Sequence, residues 1–261
     1  MHDPSTMSEP PNRLLPSSWS EPPARWSALP GEIQVWRFSL AVGRAEEADL
    51  YPLLSENERA KADRLVRPQH RRREIVAHAT LRRILASYLD TDAGRLAFQR
   101  EARGKPYLEP APGARQLQFN LSHSQDHALV AICLGRRVGV DLEMVRPQVP
   151  AARLARRFFD PGEADALDAL PLAEQLPAFF RAWTRKEALL KATGEGIVRG
   201  GGLHRVVVDA ADVPTPDWSA LHLGANDRWK LANLPAIDGA AATVAGEGDD
   251  WSLRCWRWRG T

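Results

Sequence analysis

The sequence predicts an α+β protein of two similar halves. Two observations carry this reading. In each half helical patterns come first and strand patterns later, with the change-over near Gly135 to Val138. The length, 261 residues, is also enough for two small domains that each bury a core.

The elements follow in order. Residues 1–30, rich in Pro and Ser, read as a mostly disordered lead or an extended wrap. Ile33 to Leu40 alternates as a first strand. Ala45 to Leu54 is helical. Ser55 with Glu58 three residues on is a capping-box pattern, starting a helix that runs to about Val66. Arg67 to Leu89 is a long helix with an apolar face and a second side carrying Arg71, Arg72, Arg73, Arg82 and Arg83. Arg103-Gly104-Lys105-Pro106 is a basic turn. Strands are expected at Leu117–Ser122, His127–Leu134 and Val138–Met144. Helices follow at Ala151–Phe159, Pro161–Ala169 and Leu172–Ala192. A glycine loop at Gly194–Gly202 leads to short strands at Arg205–Val208, Ala220–Leu223, Trp229–Leu234, Ala240–Ala245 and Trp251–Trp258.

Composition narrows the function class. The hydrophobic and charged fractions, 44% and 26%, are those of an ordinary soluble protein, and a net charge of +2 gives no global affinity for polyanions. Two distant cysteines, Cys133 and Cys255, argue against a disulfide scaffold or a zinc site and fit a reducing compartment. No apolar run reaches the roughly 18–20 residues of a membrane span, and no signal core opens the chain. The expectation is a cytoplasmic protein.

Three stretches can carry chemistry. In Trp183-Thr184-Arg185-Lys186-Glu187-Ala188-Leu189-Leu190-Lys191, Arg181 and Arg185 mark one helix face, expected to be wet. Glu187 lies about 200° from Arg185, on the inner face with Trp183. A buried carboxylate needs a cation, a metal or a hydrogen-bond set. Lys191 follows on the same ridge; as a mere (i, i+4) partner it is worth only ~0.3–0.5 kcal/mol. In Gly139-Val140-Asp141-Leu142-Glu143, strand alternation puts Asp141 and Glu143 about 7 Å apart on one face, beside a glycine. This is either an edge strand wetting its polar face or, with Glu187, an oxygen-only site for a hard ion such as Mg²⁺, with Mn²⁺ as substitute. In Phe119-Asn120-Leu121-Ser122-His123-Ser124, hydroxyls and an imidazole at a strand end can bind a phosphate oxygen, or His123 can cap a turn. Among the upstream cations Lys61, Arg64, Arg71, Arg72, Arg73, Arg103 and Lys105, the rigid turn with Arg103 and Lys105 is the better phosphate-binding candidate; most of the arginines read as a solvated face.

Together these stretches, with Arg103-Gly104-Lys105-Pro106, resemble in order and spacing the 4′-phosphopantetheinyl transferase superfamily. The length resembles its Sfp-type members, monomers of two similar halves. The resemblance implies a pseudo-dimer of two α/β subdomains, each a small, largely antiparallel sheet packed with helices: residues 31–136 contacting coenzyme A and residues 137–261 carrying the metal and transfer residues. It implies transfer of the phosphopantetheine arm of coenzyme A to a serine of an acyl or peptidyl carrier protein, with 3′,5′-ADP as the other product. Mg²⁺ would sit on Asp141, Glu143 and Glu187. Lys191 would face the pyrophosphate, and Glu187, directly or through a water, would accept the serine proton. Ser122 and His123 would contact coenzyme A phosphates, and Lys105, Arg103, Arg64 and Lys61 would frame the nucleotide. The carrier could belong to a fatty-acid, polyketide or non-ribosomal peptide synthase, meeting the Gly194–Gly202 loop or the Phe158-Phe159 region. Neither nucleic acid nor membrane is implied. One position departs: the family pattern often has a basic residue where Glu58 stands, and Arg73 is the candidate replacement. Two other readings compete. One is a nucleic-acid-binding module using the Arg-rich helix; the other is a metal-dependent nucleotide phosphohydrolase.

Overall fold

Strand β1 (Glu32–Ser39) explains how the chain builds two cores from one sheet. Its odd positions Ile33 and Val35 enter one apolar cluster, and its even positions Trp36 and Phe38 enter another. A strand covered on both faces must be apolar on both. The computed structural model describes residues 15–109, 117–194, 203, 206–208, 218–222 and 228–260.

The first half continues through α1 (Arg44–Leu50), α2 (Glu56–Asp63), α3 (Pro68–Leu89), the short hairpin β2 (Phe98–Arg100) and β3 (Pro106–Leu108), then β4 (Leu117–Ser124) and β5 (His127–Leu134). The second half holds β6 (Val138–Met144), α4 (Ala151–Phe158), α5 (Pro161–Ala169), α6 (Leu172–Thr193), β7 (Trp218–His222), β8 (Arg228–Asn233) and β9 (Ala240–Glu247). One sheet has the order β10-β1-β5-β4 and another β6-β9-β8-β7, with β2 and β3 paired apart. Strand β10 (Ser252–Arg257) comes from the far end of the chain yet pairs parallel with β1, Glu32 opposite Ser252. The last strand therefore crosses back into the first sheet. The remaining strand pairs are antiparallel.

The capping box at the start of α2 is present. Ser55 Oγ accepts from the Glu58 N–H, and Glu58 Oε2 accepts from the Ser55 N–H at 2.8 Å. The lead is a wrap over its described part: Ser20 bridges Trp256, and Trp19 Nε1 donates to the Pro235 carbonyl at 3.1 Å. Residues 1–14 and 195–202, the latter most of the expected glycine loop, lie outside the described residues, as do Arg205 and Leu223.

Three expectations need correction. Arg185 is 2% exposed, not on a wet face. Helix α6 lies across β6 and β9 with α4 and α5 against it, and Thr184 through Leu190 are all buried. The Arg185 Nε donates to Asn233 Oδ1 at 3.3 Å. Arg82 is likewise buried at 1% exposure, its guanidinium held by Glu58 Oε2 at 2.7 Å and the Leu96 carbonyl at 2.9 Å. The expected strand at Arg205–Val208 is not one over its described residues, Val206–Val208; the Val206 carbonyl and Val208 N–H instead bond the buried Lys186 and Glu163.

Candidate functional site

The two sheets meet edge to edge, β4 against β6. No backbone ladder joins them. Side chains of β4 accept instead: Asn120 Oδ1 from the Val140 N–H at 2.9 Å, Ser122 Oγ from Leu142 at 3.3 Å and Ser124 Oγ from Met144 at 3.1 Å. Helix α6 rests directly on β6 because position 139 is glycine. A Cβ there would lie 2.0 Å from the Ala188 carbonyl oxygen. This close approach points Glu187 and Lys191 at the face of β6 that carries Asp141 and Glu143.

A cleft of about 450 Å³ opens at this junction, lined by all four of those residues and by Lys61, His78, Arg100, Ser122, His123 and Trp183. Its C-terminal wall is acidic. Lys191 Nζ meets Asp141 Oδ1 at 2.6 Å and donates to Ser122 Oγ at 2.9 Å. Burial, then the nearby Asp141 carboxylate, push the Glu187 pKa up to about 7. The same causes in the same order raise Glu143. Trp183 packs in a cage of Phe158, Phe159 and Phe179, which holds this turn of the helix rigid.

The opposite wall is basic. Lys61 Nζ pairs with Glu74 Oε1 at 2.6 Å, and His78 Nε2 lies 3.1 Å from the same oxygen. Burial would raise Glu74, but His78 and Lys61 close to its Oε1 outweigh it and hold the carboxyl at about 2. Glu74 is thus paired with Lys61, whereas on the opposite wall Lys191 pairs with Asp141 and not with Glu187.

The acidic wall suits a hard divalent cation by its donor chemistry. Its donors are carboxylate oxygens, and Asp141 Oδ2 is buried without a hydrogen-bond partner. Among the described residues no three metal-capable side chains form a finished cage. Asp141 Oδ1 is already engaged by Lys191 and Ser122, which leaves Oδ2 as its available donor.

Comparison with known proteins identifies the family. The family model of the 4′-phosphopantetheinyl transferase superfamily matches residues 137–245, and a model of a 4′-phosphopantetheinyl transferase N-terminal region matches residues 44–134. The 4′-phosphopantetheinyl transferase HetI of Nostoc sp. is 36% identical over 245 residues, covering 94% of this chain and 100% of that protein. The chain belongs to the 4′-phosphopantetheinyl transferase superfamily. A putative 4′-phosphopantetheinyl transferase of Synechocystis sp. is 36% identical over 71% of this chain and 73% of its own length. The 4′-phosphopantetheinyl transferase Sfp of Bacillus subtilis is 26% identical over 60% and 67%.

Within this family member, the cleft brings together Lys61, Ser122, His123, Asp141, Glu143, Glu187 and Lys191 from the sequence reading. It does not bring Lys105, Arg103 or Arg64, none of which lines it. Lys105 turns its ammonium to the carbonyls of Val138 at 3.0 Å and Ala192 at 2.9 Å, tying the β2–β3 hairpin to β6 and to the end of α6. Arg103 and Arg64 are exposed. Glu58, the departing position, is committed to Ser55 and Arg82, and Arg73 pairs with Asp126 at 2.9 Å. His78, Arg100 and Glu74 were missed. A Glu–His pair at (i, i+4) on α3 was the available signal for Glu74 and His78; for Arg100 there was none.

Proposed function

We propose that the chain transfers the 4′-phosphopantetheine arm of coenzyme A to a serine of an acyl or peptidyl carrier protein, with Mg²⁺ as its cation and 3′,5′-ADP as the other product. The observation that carries this reading is one cleft lined by Asp141, Glu143 and Glu187, with Lys191 beside them and a basic wall opposite. Coenzyme A is polyanionic at its nucleotide end, and Lys61, His78, Arg100 and His123 suit those phosphates. The first half therefore binds the nucleotide, and the second performs the transfer. Asp141, Glu143 and Glu187 would hold Mg²⁺, which would neutralise pyrophosphate charge. The serine oxygen forms a bond to the β-phosphorus as the bond to the leaving 3′,5′-ADP breaks. Glu187, directly or through a water, takes the serine proton. Lys191 stabilises charge developing on the phosphoryl oxygens.

Both walls of the cleft come from one chain, which supports a monomer. The nucleic-acid reading loses its motivation, because Arg71, Arg72 and Arg73 are paired with Glu47, Asp63 and Asp126 and Arg82 with Glu58. No helix among the described residues is long and apolar enough to cross a membrane. Both cysteines are buried and unpaired, which suits a cytoplasmic location. Incubation of a panel of apo carrier proteins with coenzyme A and Mg²⁺, read by intact mass, tests the function. A mass gain of one phosphopantetheine arm is expected. Release of AMP or phosphate from coenzyme A without a carrier would point to the phosphohydrolase instead.

A further inference from the structure

Strands β4 and β6 carry a motif that repeats. Ser122 Oγ donates to Asp141 Oδ1 at 3.0 Å and accepts the N–H of the next residue, Leu142. Two residues on, Ser124 Oγ donates to Glu143 Oε2 at 2.9 Å and accepts the N–H of Met144. One rung earlier the pattern loses its acid, because Gly139 must be bare for α6 to approach; Asn120 keeps only the N–H of Val140. A hydroxyl has one proton and two lone pairs. Ser122 spends both lone pairs on N–H donors, Leu142 and Lys191, so its proton has to go to Asp141. Ser124 accepts only from the Met144 N–H, and its proton goes to Glu143 because a carboxylate oxygen is the acceptor within reach.

The consequence is which carboxylate oxygens remain. At Asp141 both donors, Ser122 and Lys191, sit on Oδ1, and Oδ2 is buried without a partner. At Glu143 both donors, Ser124 and Arg146, sit on Oε2. We propose that Ser122 and Ser124 are positioning residues that lock the two carboxylate planes and reserve one oxygen of each for the divalent cation. Ser124 takes this role without lining the cleft itself. Outer hydrogen bonds of this kind typically change metal affinity about 10–100-fold. The proposal rests on the reading of Asp141 and Glu143 as cation ligands.

The experiment measures Mn²⁺ binding to the full-length chain by calorimetry, without coenzyme A or carrier. Ser124→Ala should weaken Mn²⁺ about ten-fold while its melting temperature in EDTA stays within a few degrees of the parent. Ser124→Thr should bind Mn²⁺ like the parent and Ser124→Val like Ser124→Ala, since these two differ only in the hydroxyl. The KM for coenzyme A at saturating Mn²⁺ should not move in any of them. Asp141→Asn is the control for the site itself. If it loses Mn²⁺ while Ser124→Ala and Ser124→Val keep parental affinity, positioning by serine is wrong and the site stands. If Asp141→Asn also keeps parental affinity, the cation site is wrong. Equal losses in the Thr and Val variants, tracking a lowered melting temperature, would overturn the proposal in favour of packing alone.

Discussion

Helices α3 and α6 are both 22 residues long, and each presents a buried glutamate beside the same cleft. Glu74 on α3 is 8% exposed and Glu187 on α6 is 4% exposed, so burial alone penalises both anions. Yet one is held at about 2 and the other raised to about 7. The difference is in the neighbours. Glu74 has Lys61 and His78 within 3.1 Å; Glu187 faces Asp141 and Glu143, and Lys191 is engaged with Asp141 rather than with it. A compensated acid is part of the scaffold, holding Lys61 and His78 in place on the cleft wall. An uncompensated acid is a demand for a cation or a proton, which is what transfer chemistry uses.

The largest effect should come from removing the uncompensated acid. Glu187→Gln is expected to cut carrier loading by roughly 10²–10⁴-fold without loss of fold, because the amide relieves like-charge repulsion. Intact-mass time courses and a melting curve check both halves of that statement. Full activity would erase the contrast between the helices.

The pH dependence should separate the two acids next. Glu187 has a folded pKa raised from 4.5 to about 7, so the folded chain holds the extra proton between those values. Its cost to metal-free stability grows as pH rises through that window, by at most about 3 kcal/mol. Glu74 is lowered from 4.5 to about 2, so its contribution is present above 4.5 and lost as pH falls towards 2. Urea midpoints against pH in EDTA should show both limbs, and Mg²⁺ should flatten only the upper one.

Glu74→Gln comes third. It leaves Lys61 and His78 without their shared partner and should destabilise by about 2 kcal/mol, read by urea denaturation, while raising the KM for coenzyme A more than it lowers kcat. The smallest effect belongs to the outer surface. Arg71 is about one-third exposed and pairs with Glu47 and Asp63, so Arg71→Ala should cost less than about 1 kcal/mol and leave carrier loading unchanged. A large loss there would extend the functional wall beyond the cleft.

Much of this was legible in the chain. Strand alternation placed Asp141 and Glu143 together, helical phase turned Glu187 inward, and the Ser55–Glu58 capping box located α2. These are local rules, with periods of two or 3.6 residues, and each needs only neighbours in sequence. The arginines exposed the weakness of the same rules. Arg82 and Arg185 look like wet-face residues, and both are buried because a second layer of structure covers their side of the helix. Periodicity reports which residues share a face; it does not report what lies against that face.

What the sequence determined by itself was therefore most of the elements and the acids able to do chemistry; the β2–β3 hairpin and the cleft residues His78 and Arg100 came only with the fold. Tertiary structure decided their assignments. Lys105 reads as a phosphate ligand until the carbonyls of Val138 and Ala192 come within 3.0 Å of it. Glu58 reads as a missing cation until Arg82 pairs with it. Ser124 reads as the tail of a motif until an edge strand 19 residues on brings Glu143 to its hydroxyl. The physical reason is common to all three. A polar group's role is set by which partner satisfies it when water is withdrawn, and that partner is chosen by long-range packing rather than by the local chain.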